Sequence, residues 1–390
     1  MICLSFRCAT PVFIFTAAIL SGALCAPSAF AGPVLLYDYG TLGGTSAYAT
    51  AINASGQVVG YSTTASGATH AFLLSAGHMT DLGTLGGAAS YAEAINDNGT
   101  VVGYSNTTGS TNNHAFTWSG GVRTDIDGTS GASYAYAINN AGQIAGGRSA
   151  SIFATATGFL DTGGVFLNTG SFVGAGINAS GEMVASVTQL SGYPHAESYL
   201  GGVTTDLGLL AGTSSIGSAI NSSGQIVGQS DYDSFSDTHA YLFSGGVMTD
   251  LGTLGGKHSS ATAINSYGQV VGDAYSTANQ YLIGIPKPNF IDHAFIYTNG
   301  VMIDLNDYIS SGLLIDLQQA VAINDSGLIA INGTIANGSH HFFVMDTNGN
   351  FPVTPAATPE PGSVMLMSSA VAALWAIRGR KARVTATTRG

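Results

Sequence analysis

The stretch "AINASGQVVGYS", residues 51–62, decides the fold because it keeps returning. It recurs as "AINDNGTVVGYS" from Ala94, "AINNAGQIAGGR" from Ala137, "GINASGEMVASV" from Gly176, "AINSSGQIVGQS" from Ala219, "AINSYGQVVGDA" from Ala263 and "AINDSGLIAING" from Ala322. The Asn of each copy is Asn53, Asn96, Asn139, Asn178, Asn221, Asn265 and Asn324, spaced by 43, 43, 39, 43, 44 and 59 residues. A fixed period of this length identifies a repeat architecture before any single element is considered.

Each copy holds four short segments: "S-A-x-A-I-N", then "Q-V-V-G-Y-S", then "H-A-F-L-x-S", then "G-G-V-M-T-D-L-G". They are rich in β-branched and aromatic residues and punctuated by Gly, Asn and Ser, which is the pattern of strands. The Asn-x-x-Gly between the first two predicts a tight hairpin, since Asn bonds its own backbone two residues on and Gly supplies a positive φ. Four strands, about 43 residues and seven copies predict an all-β, seven-bladed β-propeller over residues 32–351. An open β-solenoid is the structural alternative. The opening "VLLYDYGTLGG" from Val34 matches the fourth segment "VMTDLGTLGG" from Val247, whereas the candidate last strand Phe351-Pro352-Val353 contains a proline that cannot donate to a ladder. The first strand is therefore expected to complete the last blade.

This region resembles the HAF-repeat family of extracellular bacterial proteins. The naming triplet stands as His70-Ala71-Phe72, His114-Ala115-Phe116 and His293-Ala294-Phe295, altered at His239-Ala240-Tyr241, His341-Phe342-Phe343 and His195-Ala196-Glu197. The third copy reads "TGFLDTGG" from Thr157, without the His. The resemblance implies an exported repeat protein and no particular reaction.

The two ends carry targeting patterns. Residues 1–31 have Arg7, an apolar stretch from Pro11 to Leu24, and Ala29-Phe30-Ala31 before Gly32, the layout of a cleaved signal helix with Ala29, Ala31 and Gly32 at the cleavage site. The rival, lipidation at Cys25, wants a small residue where Leu24 stands. Cys3, Cys8 and Cys25 all lie in this segment, so the mature chain would use neither disulfides nor Cys-bound metal. At the other end a linker over 352–358 leads to Pro359-Glu360-Pro361, an uncharged run to Ile377, and Arg378, Arg380, Lys381 and Arg383. As a helix, Gly362 to Ile377 would span about 24 Å, short of a bilayer core of roughly 30 Å, so it is expected to be a short transmembrane anchor with its basic end cytoplasmic. The tail, 359–390, resembles the PEP-CTERM sorting signal of Gram-negative bacteria that secrete exopolysaccharide. That resemblance implies recognition of Pro359, Glu360 and Pro361 by exosortase, transient residence in the inner membrane, and delivery to the cell surface or matrix.

Without the signal and tail, four bases (Arg123, Arg148, Lys257, Lys287) face 21 acids, a net charge near −17. This balance argues against nucleic acid as a partner and disfavours docking to an anionic membrane surface. No Gly-x-Ser-x-Gly, P-loop or zinc spacing occurs, so no catalytic residue is assigned and no cofactor is expected. The weak exception is calcium at Asp231, Asp233 and Asp237. The recurring His is expected to bond a turn or neighbouring backbone group, and the Asp of "T-D-L-G" (Asp81, Asp206, Asp250, Asp304) to accept from turn amides. The adjacent His340 and His341 have no carboxylate near them in sequence.

Two copies depart from the pattern. The insertion from Tyr275 to Phe290, with Tyr281, Lys287 and Phe290, is a candidate ligand loop for polysaccharide or an envelope protein. The spacing of Leu313, Leu314 and Leu317 allows a short helix. The expected function is a non-catalytic surface or matrix scaffold or binding module. The alternative is a secreted glycan hydrolase or lyase with carboxylates from different blades meeting on the axis.

Overall fold

The computed structural model describes residues 34–347, apart from position 111 and segments 129–130, 150–155, 234–236, 277–280, 283–284, 287–290 and 310–312, together with the backbone of Met365–Met367. The signal segment, the Pro359-Glu360-Pro361 motif and the basic cluster from Arg378 lie outside the described residues.

The described chain is all-β apart from one 3-10 turn, Leu305–Tyr308. Each copy is a four-stranded antiparallel meander. The first copy runs Gly43–Ile52, Val58–Thr64, Thr69–Ser75 and His78–Gly83. The seventh uses Ile315–Ile323, Leu328–Ile335 and His340–Asp346, and its fourth strand is Leu35–Asp38 from the other end of the chain, in register Leu35 with Asp346 and Asp38 with Phe343. The opening segment thus closes the last sheet, as its likeness to the fourth repeat segment predicts.

The hairpin between the first two strands forms as the sequence dictates. Asn53 Oδ1 accepts the amides of Ser55 and Gln57, and Gly56 takes a φ of 75°. The second-strand Gly is required for a different reason, since a Cβ on Gly60 would lie 1.9 Å from the Tyr48 carbonyl oxygen. The fourth copy has Ala185 at this position and a first strand reduced to Gly176–Ile177, so the close approach is lost there.

The apolar side chains are buried between copies. Val59, Ala71, Leu73 and Leu82 of the first pack on Ala92, Ile95, Val101 and Phe116 of the second. The last and first copies share a core of the same kind, with Phe342, Val344, Ala330 and Leu328 against Ala47, Val58, Phe72 and Leu74. Seven such clusters occur among the described residues, one for each neighbouring pair including the seventh with the first. Burial of apolar area at every junction is the main stabilising term.

Two local expectations change. Leu317 lies within the strand Ile315–Ile323, because its side chain is fully buried in the junction between the sixth and seventh copies and the helical turn is spent earlier, at Leu305–Tyr308. Within the tail read as a helix, Met365–Met367 is a strand paired antiparallel to Leu35–Asp38, whose outer edge is otherwise unpaired. No helix among the described residues is long and apolar enough to cross a membrane.

Candidate functional site: the two mouths of the repeat axis

The residues that look reactive in the sequence are mostly tied to one another. His70 Nδ1 lies 2.8 Å from Asp81 Oδ2, and the same pair recurs as His114–Asp125, His195–Asp206, His239–Asp250 and His293–Asp304, always eleven residues apart. The sixth pair among the described residues joins His341 to Asp38 across 303 residues, on the strand borrowed from the start of the chain. The expectation that each His bonds a backbone group is therefore corrected. Third and fourth strands are adjacent, and their register sets the imidazole beside the carboxylate. The Asp does accept turn amides as well, Gly83 N at 2.6 Å from Asp81 and Gly252 N at 2.7 Å from Asp250. Burial pushes the Asp125 carboxyl up, but the Gly128 amide and His114 outweigh it and hold it below the usual range; the same balance, with His195 and Gly208, holds for Asp206. In the third copy both partners change together. Thr157 stands in the His register opposite Arg148, and Asn168, which still accepts the Gly170 amide, stands in the Asp register opposite Phe159.

At one mouth of the axis stand the seven Asn turns, whose residues from all seven copies line a single opening of about 340 Å³. Asn53 Nδ2 donates to Asn96 O at 3.1 Å, and the next copies repeat this as Asn96 to Asn139, Asn139 to Asn178, Asn221 to Asn265 and Asn265 to Asn324. Asn324 then donates to Asn53 O at 3.0 Å. Outside this runs a second set of links, Ala54 N to Asp97 Oδ1, Asp97 N to Asn140 Oδ1 and Ser266 N to Asp325 Oδ1. The seven Asn side chains of this end are spent on the protein itself.

The other mouth is asymmetric. A cavity of about 560 Å³ is lined by Ala49, Thr50, Tyr61, Glu93, Tyr136, Val173, Ala175, Gln319, Val321 and Asn332, from the seventh, first, second, third and fourth copies. Its inner wall is set by the residue three before each Asn, which the repeat leaves free to vary: Thr50, Glu93, Tyr136, Ala175 and Val321. Beside it runs a belt of half-buried tyrosines. Tyr48 stacks on Tyr61 at 5.2 Å, Tyr61 meets Tyr91 edge-on at 5.1 Å, Tyr91 stacks on Tyr104 at 5.0 Å, and Tyr104 meets Tyr134 edge-on at 5.0 Å. His340 continues the belt by stacking on Tyr48 at 5.4 Å. Glu93 sits among these rings. Burial raises its carboxyl to about 7, and a hydrogen bond from Tyr104 offsets part of that. Burial, with the charges of Tyr134 and Glu93, raises the Tyr136 phenol to about 12. A second partly buried acid, Asp273, accepts from Gln319 Nε2 at 3.0 Å and is raised to about 6, by burial first and by the charge of Asp292. Glu93 lines the cavity directly, whereas Asp273 stands behind Gln319.

The other sequence candidates fall elsewhere. Asp231 Oδ2 is engaged by the backbone and hydroxyls of Thr213 and Ser214, Asp237 pairs with Lys257 Nζ at 3.1 Å, and Asp233 lies 3.5 Å from the Asp237 amide. Asp231 thus serves the Thr213–Ser214 segment, Asp237 pairs with Lys257, and Asp233 faces its own loop. Among the described residues no group of three or more His, Cys, Asp or Glu is placed to hold a metal ion. The ligand-loop insertion contains a small backbone ladder, Tyr281–Leu282 with Ile285–Pro286, while Lys287 and Phe290 lie outside the described residues.

The chain matches no family model and no curated protein sequence. It is similar in structure to TolB from Acinetobacter baumannii, with 11% identity, 83% of this chain and 66% of that chain covered, and a TM-score of 0.38. It is also similar to a Mycobacterium tuberculosis puromycin-hydrolyzing peptidase, with 9% identity, 81% and 55% covered, and a TM-score of 0.47. A third is the Trypanosoma rangeli sialidase in complex with the inhibitor DANA, with 12% identity, 89% and 60% covered, and a TM-score of 0.36. The chain spans between about half and two thirds of the length of these proteins.

Proposed function

We propose that the protein is an exported cell-surface or exopolysaccharide-matrix protein whose seven sheets close into a seven-bladed β-propeller. It acts as a non-catalytic scaffold or binding module and is sorted by exosortase at Pro359-Glu360-Pro361. The observation that carries this reading is the consumption of the repeated Asn, His, Asp and Ser side chains in links within and between copies. Even Ser90, which accepts the Ala71 amide and donates to Gly83 O, is such a staple. Side chains repeated for this reason hold a ring together and transform no substrate. An acidic exterior with few bases suits solubility outside the cell. Export is tested by expressing the chain in an exosortase-carrying host. A size shift and arrival in the medium or matrix, both lost when Pro359, Glu360 and Pro361 are replaced by Ala, are expected; unchanged processing of that variant would reject the sorting assignment.

A second reading is favoured by Glu93 alone. A mouth carboxyl raised to about 7 is suited to general-acid work on a glycan, and Tyr104 is hydrogen-bonded to it. Glycoside hydrolysis in its usual form wants a second carboxyl about 5–9.5 Å away across the substrate, and Asp273 is screened from the cavity by Gln319. Incubation of the purified protein with polysaccharides separates the two readings. Release of new reducing ends would overturn the scaffold assignment, and saturable binding without products is expected.

A further inference from the structure

We infer that the asymmetric mouth binds one neutral sugar ring of an extracellular polysaccharide, stacked between or against Tyr61 and Tyr136 and hydrogen-bonded by Glu93. This rests on the binding-module reading and deepens it by assigning the site and the ligand class. Four observations converge. The cavity, about 560 Å³, falls in the range of small-ligand pockets and reaches five copies. Its lining pairs aromatic faces with aliphatic patches from Ala49, Val173 and Val321 and a single carboxyl, the mixture that suits the apolar faces and hydroxyl rim of a pyranose. The tyrosines are already held by one another, so little conformational entropy is lost when a ring stacks on them. The opposite mouth, by contrast, spends its polar side chains on the ring of Asn turns.

The charge of the ligand follows from what is missing around the cavity. Among the described residues the bases are occupied elsewhere: Arg123 donates to Thr84 O, Arg148 lies 3.6 Å from Asp127 and over the rings of Phe159 and Phe166, and Lys257 pairs with Asp237. An anionic sugar would meet an acidic protein with no guanidinium or ammonium among the described residues that line this mouth. Glu93, partly protonated near neutrality, can both accept from and donate to a hydroxyl.

The test is titration of the full-length protein with neutral glucan, mannan, galactan and chitin oligosaccharides, alongside alginate and polygalacturonate fragments. Saturable binding to at least one neutral oligosaccharide is expected, weakened by about tenfold or more in Tyr136→Ala, Tyr61→Ala and Glu93→Ala. Tyr267→Ala, at an exposed hairpin tip on the sixth copy, should bind as the parent does. Tyr136→Leu keeps an apolar body and removes the stacking face, so a folded Tyr136→Leu protein that still fails to bind separates recognition from folding. Binding confined to the uronate fragments, binding to none, or neutral-sugar binding that survives all the mouth variants would each overturn the assignment. Release of reducing ends by the parent protein counts against the non-catalytic reading alone and leaves the site assignment standing if the mouth variants abolish it.

Discussion

The two ends of the repeat axis are built from the same strands and put them to opposite uses. At the Asn end, residues from every copy line one opening, and each Asn side chain caps its own turn while six of the seven also reach the next copy, Asn178 bonding Glu182 instead. At the tyrosine end the lining changes from Thr50 to Glu93 to Tyr136 to Ala175 to Val321. Within one chain, uniformity marks positions that answer to geometry, and variation in an otherwise fixed string marks positions released from it. Substitutions in the frame should therefore move stability and leave binding alone, and substitutions at the mouth should do the reverse.

The sharpest test of the frame is the buried His293–Asp304 pair, with the two side chains 1% and 9% exposed. His293→Ala leaves a carboxylate enclosed without its imidazole, and a loss of about 3–5 kcal/mol is expected in denaturant unfolding. His70→Ala, beside an Asp81 whose side chain is 42% exposed, should cost about 1 kcal/mol or less. The double change His293→Thr with Asp304→Asn imports the third copy's solution and should recover more than half of the single-variant loss. If the double variant is as unstable as His293→Ala, the concerted replacement at Thr157 and Asn168 has some other origin.

Glu93 breaks the separation of frame and mouth in a predictable direction. Its carboxyl is raised on folding from 4.5 to about 7, so the folded state holds a proton that the unfolded chain has released across that window. Stability from this group is fully present below about pH 4.5 and is lost as pH rises through about 7, by on the order of 3 kcal/mol. Asp273, raised from 3.8 to about 6, adds a loss of the same sign beginning at lower pH. Asp125 and Asp206 act oppositely, because their lowered values give stability present above pH 3.8 and lost as pH falls through the folded value. Melting curves of parent and Glu93→Gln between pH 4.5 and 8 should converge toward acid and separate toward neutrality, with the variant the flatter. Parallel curves would place Glu93 in water and remove it from the mouth's chemistry.

An Asn at the uniform end carries less than a buried ion pair but more than an ordinary surface side chain. Asn221→Ala loses acceptance from the Ser223 and Gln225 amides and donation to Asn265 O, and about 2–3 kcal/mol is expected in denaturant unfolding. Glycan titration of that variant, wherever it is folded, should match the parent.

Much of the frame is legible in the sequence because it is local. The Asn-x-x-Gly hairpin, the four strands and the likeness of "VLLYDYG" to a fourth strand all depend on neighbours a few residues apart or on direct comparison of copies. The His–Asp pairs are equally present as a constant spacing of eleven, but neither half points to the other in the sequence, since strand pairing and not sequence proximity brings the two together. His341 could not be matched to Asp38 by any local argument across 303 residues. The mouth is hidden in the sequence for a related reason. Long insertions such as that holding Tyr281 stand out in the sequence, whereas the lining is made by single variable positions inside regular strands. Those positions become neighbours only when copies are arranged about an axis. The helix expected at Leu313, Leu314 and Leu317 fails because spacing alone cannot separate a short helical face from a buried strand; burial of Leu317 between copies decides it.

The smallest expected effect isolates one atom of the frame. In the third strand of five copies a buried Phe fills the junction (Phe72, Phe116, Phe159, Phe295, Phe343), but the fifth copy has Tyr241 there, fully buried. Its hydroxyl has no hydrogen-bond partner among the described residues, and burial raises its phenol well above the usual range. A desolvated hydroxyl without a partner is a net cost of about 1 kcal/mol or more, and Tyr241→Phe removes it while keeping the ring. The variant should unfold about 1 kcal/mol later, visible as a shift in denaturant midpoint at unchanged m-value. The neighbours Val184, Ala196, Leu207 and Ile226 offer the hydroxyl only apolar surface. Destabilisation by Tyr241→Phe would mean that a polar group or water reaches this junction, and that the fifth copy belongs with the mouth as a place where the frame has been released from its own rule.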